Sequence, residues 1–293
     1  MLADAFTVAE QGDILTGPVR RPVNVSRDAQ GSIHDDKTAQ TLGFRGGTVA
    51  GNIHMEQFVP VMRARFGADW SQRGGLSLYF LNATTDGEPV QASIGPVVED
   101  PFGIQRADVW MQTPEGVRVS EGTAWIGGDD PQSALRQRLA SQRPAEDLRM
   151  LLASSVGDAV QDVPTRLDGE TCLRRLQGIT EPLPEYREAA IWGERVAAPA
   201  VAIDALRAVE GPLFRAKAGF VGMFGAIEVQ HLGAPIFLDH DYLVDGRLVA
   251  LGSSPKTEMA WYESTLKDAA DCRPVARLLM LTRLLKASSP LWA

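Results

Sequence analysis

At 293 residues the chain is long enough for one large domain or two of ordinary size, and 44% hydrophobic with 23% charged residues describes a globular protein with a sizeable core. Twenty-nine basic against 37 acidic residues leave a formal charge of -8, with no basic run longer than pairs such as Arg20-Arg21 and Arg174-Arg175, which argues against a nucleic-acid surface. Two cysteines, Cys172 and Cys272, are too few and too far apart for a disulfide framework or a zinc site; with no apolar signal-peptide core and no long apolar run, the expectation is a cytoplasmic protein without a membrane span.

In chain order, the first informative stretch is Ser26 to Gly51, SRDAQGSIHDDKTAQTLGFRGGTVAG. Asp28 and His34 precede a helix expected to start near Asp36, with Asp35 and Asp36 as caps for its free N–H groups. Gly46-Gly47 permits a tight turn, and Asn52 to Phe66 reads as a long apolar helix carrying His54 and Glu56. Strands are expected at Leu76 to Asn82, Val90 to Val98, Ile104 to Gln112 and Val117 to Ile126, separated by Gly/Pro/Asp turns. Leu148 to Val160 reads as a helix, and so does Ala200 to Val209. Further strands are expected at Gly219 to Gln230, Ile236 to Asp245, Leu248 to Lys256 and Glu258 to Leu266, with Asp245-Gly246 as a short hairpin turn. Pro274 to Lys286 reads as an amphipathic helix. His231 and His240 have no partner at a recognisable spacing, and none of Arg45, Arg63 and Arg65 can be singled out for a phosphate.

The segment LGFRGGTVAGNI, Leu42 to Ile53, matches WGERVAAPAVAI, Trp192 to Ile203, at an offset of 150 positions: Gly43 with Gly193, Arg45 with Arg195, Ala50 with Ala200, Ile53 with Ile203. Each is followed by a helix and then by strands, so one unit is built twice. The expected division is a first unit over 1–130, a linker and connecting helix over 131–165, and a second unit over 166–293. At the same offset His34 falls on Pro184 and Asp28 on Gly178, so the second unit carries neither polar candidate.

The Ser26 to Gly51 stretch resembles the R-specific enoyl-CoA hydratases of the MaoC-like hot dog family, whose signature is Ser-Gly-Asp-x-Asn-Pro-x-His, an acidic residue, an alanine, and a Gly-Phe turn into the central helix. Ile33, His34, Asp36, Ala39, Gly43, Phe44 and Gly51 fit that pattern. The Asn-Pro pair is Gly31-Ser32 here, Val49-Ala50-Gly51 replaces Ala-His-Gly, and six positions rather than five separate Asp28 from His34. The resemblance implies an α+β double hot dog chain, each unit a long helix wrapped by an antiparallel sheet, acting on an acyl-CoA or acyl-carrier thioester. By carry-over, Asp28 and His34 hold and deprotonate water, and the Gly51 N–H stabilises the enolate oxygen. Gly47, Val49, Ala50 and His54 are the expected substrate contacts, no metal or organic cofactor is required, and a homodimer of chains is compatible.

Two other readings stay open. The longer loop and the missing Asn-Pro are equally those of a catalytically silent protein that binds acyl thioesters or serves as a partner subunit. Glu56, with His54 beside it, is the residue an acyl-CoA thioesterase would use; packing at the interface between units is the plainer role for both.

Overall fold

A computed structural model describes residues 7–145, 147–178, 180–181, 183–215 and 219–293; the first six residues, on which the signal-peptide expectation partly rests, lie outside them. The strands are β1 (Ala9–Gln11), β2 (Ile14–Thr16), β3 (Gly74–Phe80), β4 (Gln91–Ile94), β5 (Val98–Glu99), β6 (Gln105–Gln112), β7 (Arg118–Ile126), β8 (Ala159–Arg166), β9 (Val221–His231), β10 (Asp241–Ser253), β11 (Thr257–Asp268) and β12 (Pro274–Leu285). The helices are α1 (Asp36–Thr41), α2 (Gly51–Met55), α3 (Phe58–Phe66), α4 (Trp70–Arg73), α5 (Ala134–Ala140), α6 (Gly169–Arg175), α7 (Pro199–Leu206) and α8 (Glu210–Leu213).

All strands belong to one antiparallel sheet in the order β1-β2-β4-β6-β7-β3-β9-β12-β11-β10-β8, with β5 on β6. The run β2-β4-β6-β7-β3 in the first half has the same pattern as β8-β10-β11-β12-β9 in the second, so the duplication read from sequence is present in the topology. The halves join where β3 pairs with β9, from Gly75 opposite Gln230 to Tyr79 opposite Ala226, leaving neither inner edge open. α2 packs on α7. Ala200, Val201, Ala202, Ile203, Ala205 and Leu206 of α7 are all buried, while Asp204 on the same helix keeps 30% exposure.

The repeat extends to tertiary detail. Gly43 and Gly193 both take left-handed backbone, at φ 86° and 81°. Arg45 pairs with Glu88 just before β4, and Arg195 with Asp239 just before β10. The ungapped alignment fails at the helix entrances, however. Thr48 bridges Thr85 and Val196 bridges Phe237, each three residues before its helix, so Ala50 corresponds to Ala198 and Gly51 to Pro199. Gly46-Gly47 has no counterpart after Arg195.

Four expected elements differ. The helix after Gly51 is broken at Glu56-Gln57, because Pro60 has no N–H to return to the Glu56 carbonyl. Leu148 to Val160 is not a helix: the N–H groups of Arg149, Met150 and Leu151 turn onto the buried Glu258 carboxylate at 2.8–2.9 Å, and the end of the stretch enters β8. Pro274 to Lys286 forms β12, a central strand buried on both faces, where a continuous apolar run replaces alternation. Asp245-Gly246 lies within β10, at an irregularity in its pairing with β8. A Cβ on Gly246 would meet Val209 at 2.7 Å, so close helix-to-strand approach, not a hairpin, requires glycine.

Candidate active site

Two segments distant in sequence clamp together to place His34. The Thr48 N–H donates to the Ile33 carbonyl at 2.9 Å, Asn24 Nδ2 to the His34 carbonyl at 2.8 Å, and the Gly47 N–H to Asp36 Oδ1 at 2.7 Å. Any Cβ on Gly47 would lie 2.2 Å from the His34 carbonyl oxygen, so this approach demands glycine. Asp35 caps α1 through the Thr38 N–H as expected; Asp36 instead secures Gly47.

The His34 ring continues the clamp, with Nδ1 2.8 Å from the Thr48 carbonyl oxygen. A carbonyl only accepts, so Nδ1 carries the proton and Nε2 of the neutral ring keeps its lone pair. His34 lines a cavity of about 1190 Å³ together with Thr48, Val49, Ala50, Gly51 and His54. Gly51 opens α2 after Ala50 as N-cap, so its N–H has no acceptor within the helix. A Cβ there would meet the Phe80 ring at 2.7 Å.

The expected site residues separate on this geometry. His34, Val49, Ala50, Gly51 and His54 come together in the cavity wall, whereas Asp28 and Gly47 do not line it. Asp28 is exposed. The extra loop residue is taken up by successive turns, Ala29 N–H to Ser26 and Ser32 N–H to Ala29, with Gly31 at φ 75°, and Asp28 rides on their outer side while Ser26 and Ser32 face the cavity. Gly47 packs directly on the His34 backbone.

His54 is buried, its Nε2 2.9 Å from Thr84 Oγ1, and desolvation pushes its pKa down to about 4. It is therefore a neutral, fixed wall residue. Glu56 is fully buried between the halves, outside the cavity lining; Oε1 accepts the Ala200 N–H at 2.5 Å at the start of α7, and burial raises its pKa to about 8.

Among the described residues the second half has no copy of this arrangement. Pro199 stands where Gly51 does and has no N–H to offer. Glu185, whose carbonyl accepts the Val196 N–H as that of Ile33 accepts Thr48, is followed by Tyr186 in the place of His34. The corresponding space has shrunk to about 40 Å³ between Tyr186, Trp192, His231, Trp70 and Arg63, and Arg63 is paired with the buried Glu185. The second half contributes instead to the wall of the large cavity, through Arg174, Arg175, Asp204, Arg207, Glu210, Phe214, Phe220, Phe224 and Thr282. None of these residues was singled out from the sequence as a site residue. Arg45, Arg63 and Arg65 are engaged with Glu88, Glu185 and the Asp13 carbonyl, away from the cavity.

Among the described residues no group of three or more His, Cys, Asp and Glu side chains is placed to hold a metal ion, and no helix is long and apolar enough to cross a membrane.

The sequence matches no family model and no curated protein. Solved structures do match over nearly the full length. A MaoC domain protein assigned as a dehydratase, from Chloroflexus aurantiacus J-10-fl, shares 14% identity at a TM-score of 0.64, over 94% of this chain and 95% of that one. A conserved hypothetical protein of Mycobacterium tuberculosis with a double hot dog fold shares 12% at 0.61, over 95% and 96%. A MaoC-like dehydratase shares 12% at 0.55, over 94% and 98%. Two helix-and-sheet units, joined edge to edge around paired helices and matched along their whole length by these structures, give this chain the double hot dog fold.

Proposed function

We propose that this chain is a hydratase or dehydratase of an acyl thioester, interconverting an enoyl and a hydroxyacyl thioester of CoA or of a carrier protein. The observation that carries the reading is the His34 to Thr48 bond, which orients the imidazole and leaves Nε2 as a base in a cavity that also presents the first peptide of α2. Nε2 takes a proton from water as its oxygen bonds to C3, and the electron pair of the C2–C3 double bond moves onto the thioester oxygen, held by the Gly51 N–H. The imidazolium then returns a proton to C2 as the enolate collapses. The similarity to MaoC-type dehydratases favours this chemistry by analogy of fold. Asp28 has no part in it, and His54 shapes the wall beside the reacting carbons.

The test follows the absorbance of the enoyl-thioester band with crotonyl-, hexenoyl- and decenoyl-CoA. Loss of absorbance with the native chain but not with His34→Ala, and without release of free thiol, is the expected result. Turnover unchanged in His34→Ala overturns the assignment. A second reading, a silent acyl-thioester binder, is favoured by the exposed position of Asp28; it predicts thermal stabilisation by acyl-CoA with no change in absorbance.

A further inference from the structure

The wall supplied by the second half holds charges that the chemistry at His34 does not use. Arg175 pairs with Asp204. Arg207 Nη1 stands 3.8 Å from Asp204 Oδ1, and Arg207 Nη2 donates to Glu210 Oε2 at 2.6 Å. Glu210 Oε1 accepts from the Tyr262 hydroxyl at 2.8 Å and from the Thr282 hydroxyl at 3.4 Å. Side-chain exposure falls along this series, from 50% for Arg175 to 30% for Asp204, 26% for Arg207 and 17% for Glu210, and Tyr262 is fully buried. The series thus descends from the cavity mouth into the core.

Two cations alternate with two anions, so the series is balanced and adds no net charge to the cavity. Arg207 lies deeper than Arg175, its guanidinium over the Phe224 ring at 4.5 Å from the centroid. Nη2 is committed to Glu210, Nη1 lies 3.8 Å from the Asp204 oxygen, beyond hydrogen-bonding distance, and Nε is buried without a partner among the described residues. Around it Phe214, Phe220, Met223 and Phe224 supply apolar surface. A plain alkyl chain laid here would take water from a guanidinium nitrogen and return nothing for it. A carboxylate beside Arg207 would bring a third anion against Asp204 and Glu210, which Arg175 and Arg207 already match; Arg174, the third arginine of this wall, donates to the Thr171 hydroxyl instead.

Building on the acyl-thioester reading, we propose that the cavity selects acyl groups that carry a neutral oxygen, a hydroxyl or a keto group, beyond the reacting carbons, with Arg207 Nη1 as its donor. Arg207 is then a specificity-determining residue, and the phenylalanines beside it hold the methylenes.

The experiment is titration calorimetry of the full chain with saturated acyl-CoA esters, which an enoyl hydratase does not turn over: alkanoyl, ω-hydroxyalkanoyl and ω-carboxyalkanoyl esters matched in length from butyryl to decanoyl. At the best-fitting length the hydroxylated ester is expected to bind at least about tenfold more tightly than the alkanoyl ester, and Arg207→Met to abolish that preference. Should Arg207→Met fail to fold with Glu210 left unpaired, the double variant Arg207→Met, Glu210→Gln, which removes both charges together, carries the same expectation. Equal or tighter binding of the alkanoyl ester at every length overturns the inference and leaves the thioester reading standing. Preference for the carboxylated ester overturns the choice of a neutral oxygen. Failure of every ester to bind overturns the acyl-CoA form of the thioester reading, and the inference with it.

Discussion

His34 Nδ1 and the Thr48 carbonyl oxygen, 14 positions apart in sequence, stand 2.8 Å apart and set the tautomer of the only histidine in the cavity wall that keeps appreciable solvent contact. His34→Ala is therefore expected to lower enoyl-thioester hydration by about two orders of magnitude or more, the usual scale for a general acid/base, with its thermal transition little changed. Asp28→Asn is expected to stay within about threefold of the native rate. Steady-state assays on both variants check the pair, and a large loss in Asp28→Asn would mean that the loop closes over the ligand.

Gly47→Ala tests the clamp without touching the cavity. Its new methyl would sit 2.2 Å from the His34 carbonyl oxygen, a backbone atom that cannot swing aside, so the two segments must separate. A loss of roughly 1–3 kcal/mol in urea unfolding is expected, together with reduced turnover. Gly31→Ala is the comparison: it meets no atom within 4 Å and suffers only from its positive φ, so it should cost about 1 kcal/mol and leave turnover nearly unchanged.

Glu56 gives stability a pH dependence of defined sign. Its folded pKa is about 8 against an ordinary 4.5, because burial disfavours the carboxylate. The folded state thus holds the proton more tightly than the unfolded chain. Its contribution is fully present below pH 4.5, declines as pH rises, and is lost by about pH 8. Glu56→Gln keeps an oxygen for the Ala200 N–H and cannot ionise. Its thermal transition should match the native one near pH 4.5 and exceed it near pH 8, with hydration activity retained; a constant difference across that range would refute the assignment.

Arg63 and Arg45 make ion pairs of very different worth. Arg63 meets Glu185, whose side chain is 4% exposed, across the interface between the halves. Arg63→Met leaves that carboxylate buried without its cation and is expected to cost about 3 kcal/mol. Arg45, 66% exposed beside Glu88, should cost less than about 1 kcal/mol on conversion to alanine. Chemical denaturation of both single variants measures the contrast.

The parts of the site legible in sequence are those fixed by local chemistry. His34, the glycine turn and Gly51 fall within a stretch short enough to be read as a unit, and the repeated Gly and Arg around 43–45 and 193–195 identified the duplication before any strand was paired. Asp28 lies outside the cavity lining because one extra residue in a turn rotates a side chain outward, and spacing alone does not say which way. Asp204, Arg207 and Glu210 follow each other at intervals of three, the spacing of ordinary surface pairs on a helix; only the packing of α7 shows that this face borders a cavity. β12 was read as a helix because a strand covered on both sides loses the alternation by which strands are recognised.

Pro199 opposite Gly51, and Tyr186 opposite His34, have a consequence for stoichiometry and for how such a protein can change. Two identical subunits related by a twofold axis must bear the same substitution twice, so a residue that improves ligand selection in one would intrude on chemistry in the other. Covalent joining of the halves through one chain removes that constraint. One ligand per chain is the ratio that follows, and each half is free to vary for its own task, which on the proposed reading is proton transfer in the first and discrimination among acyl groups in the second.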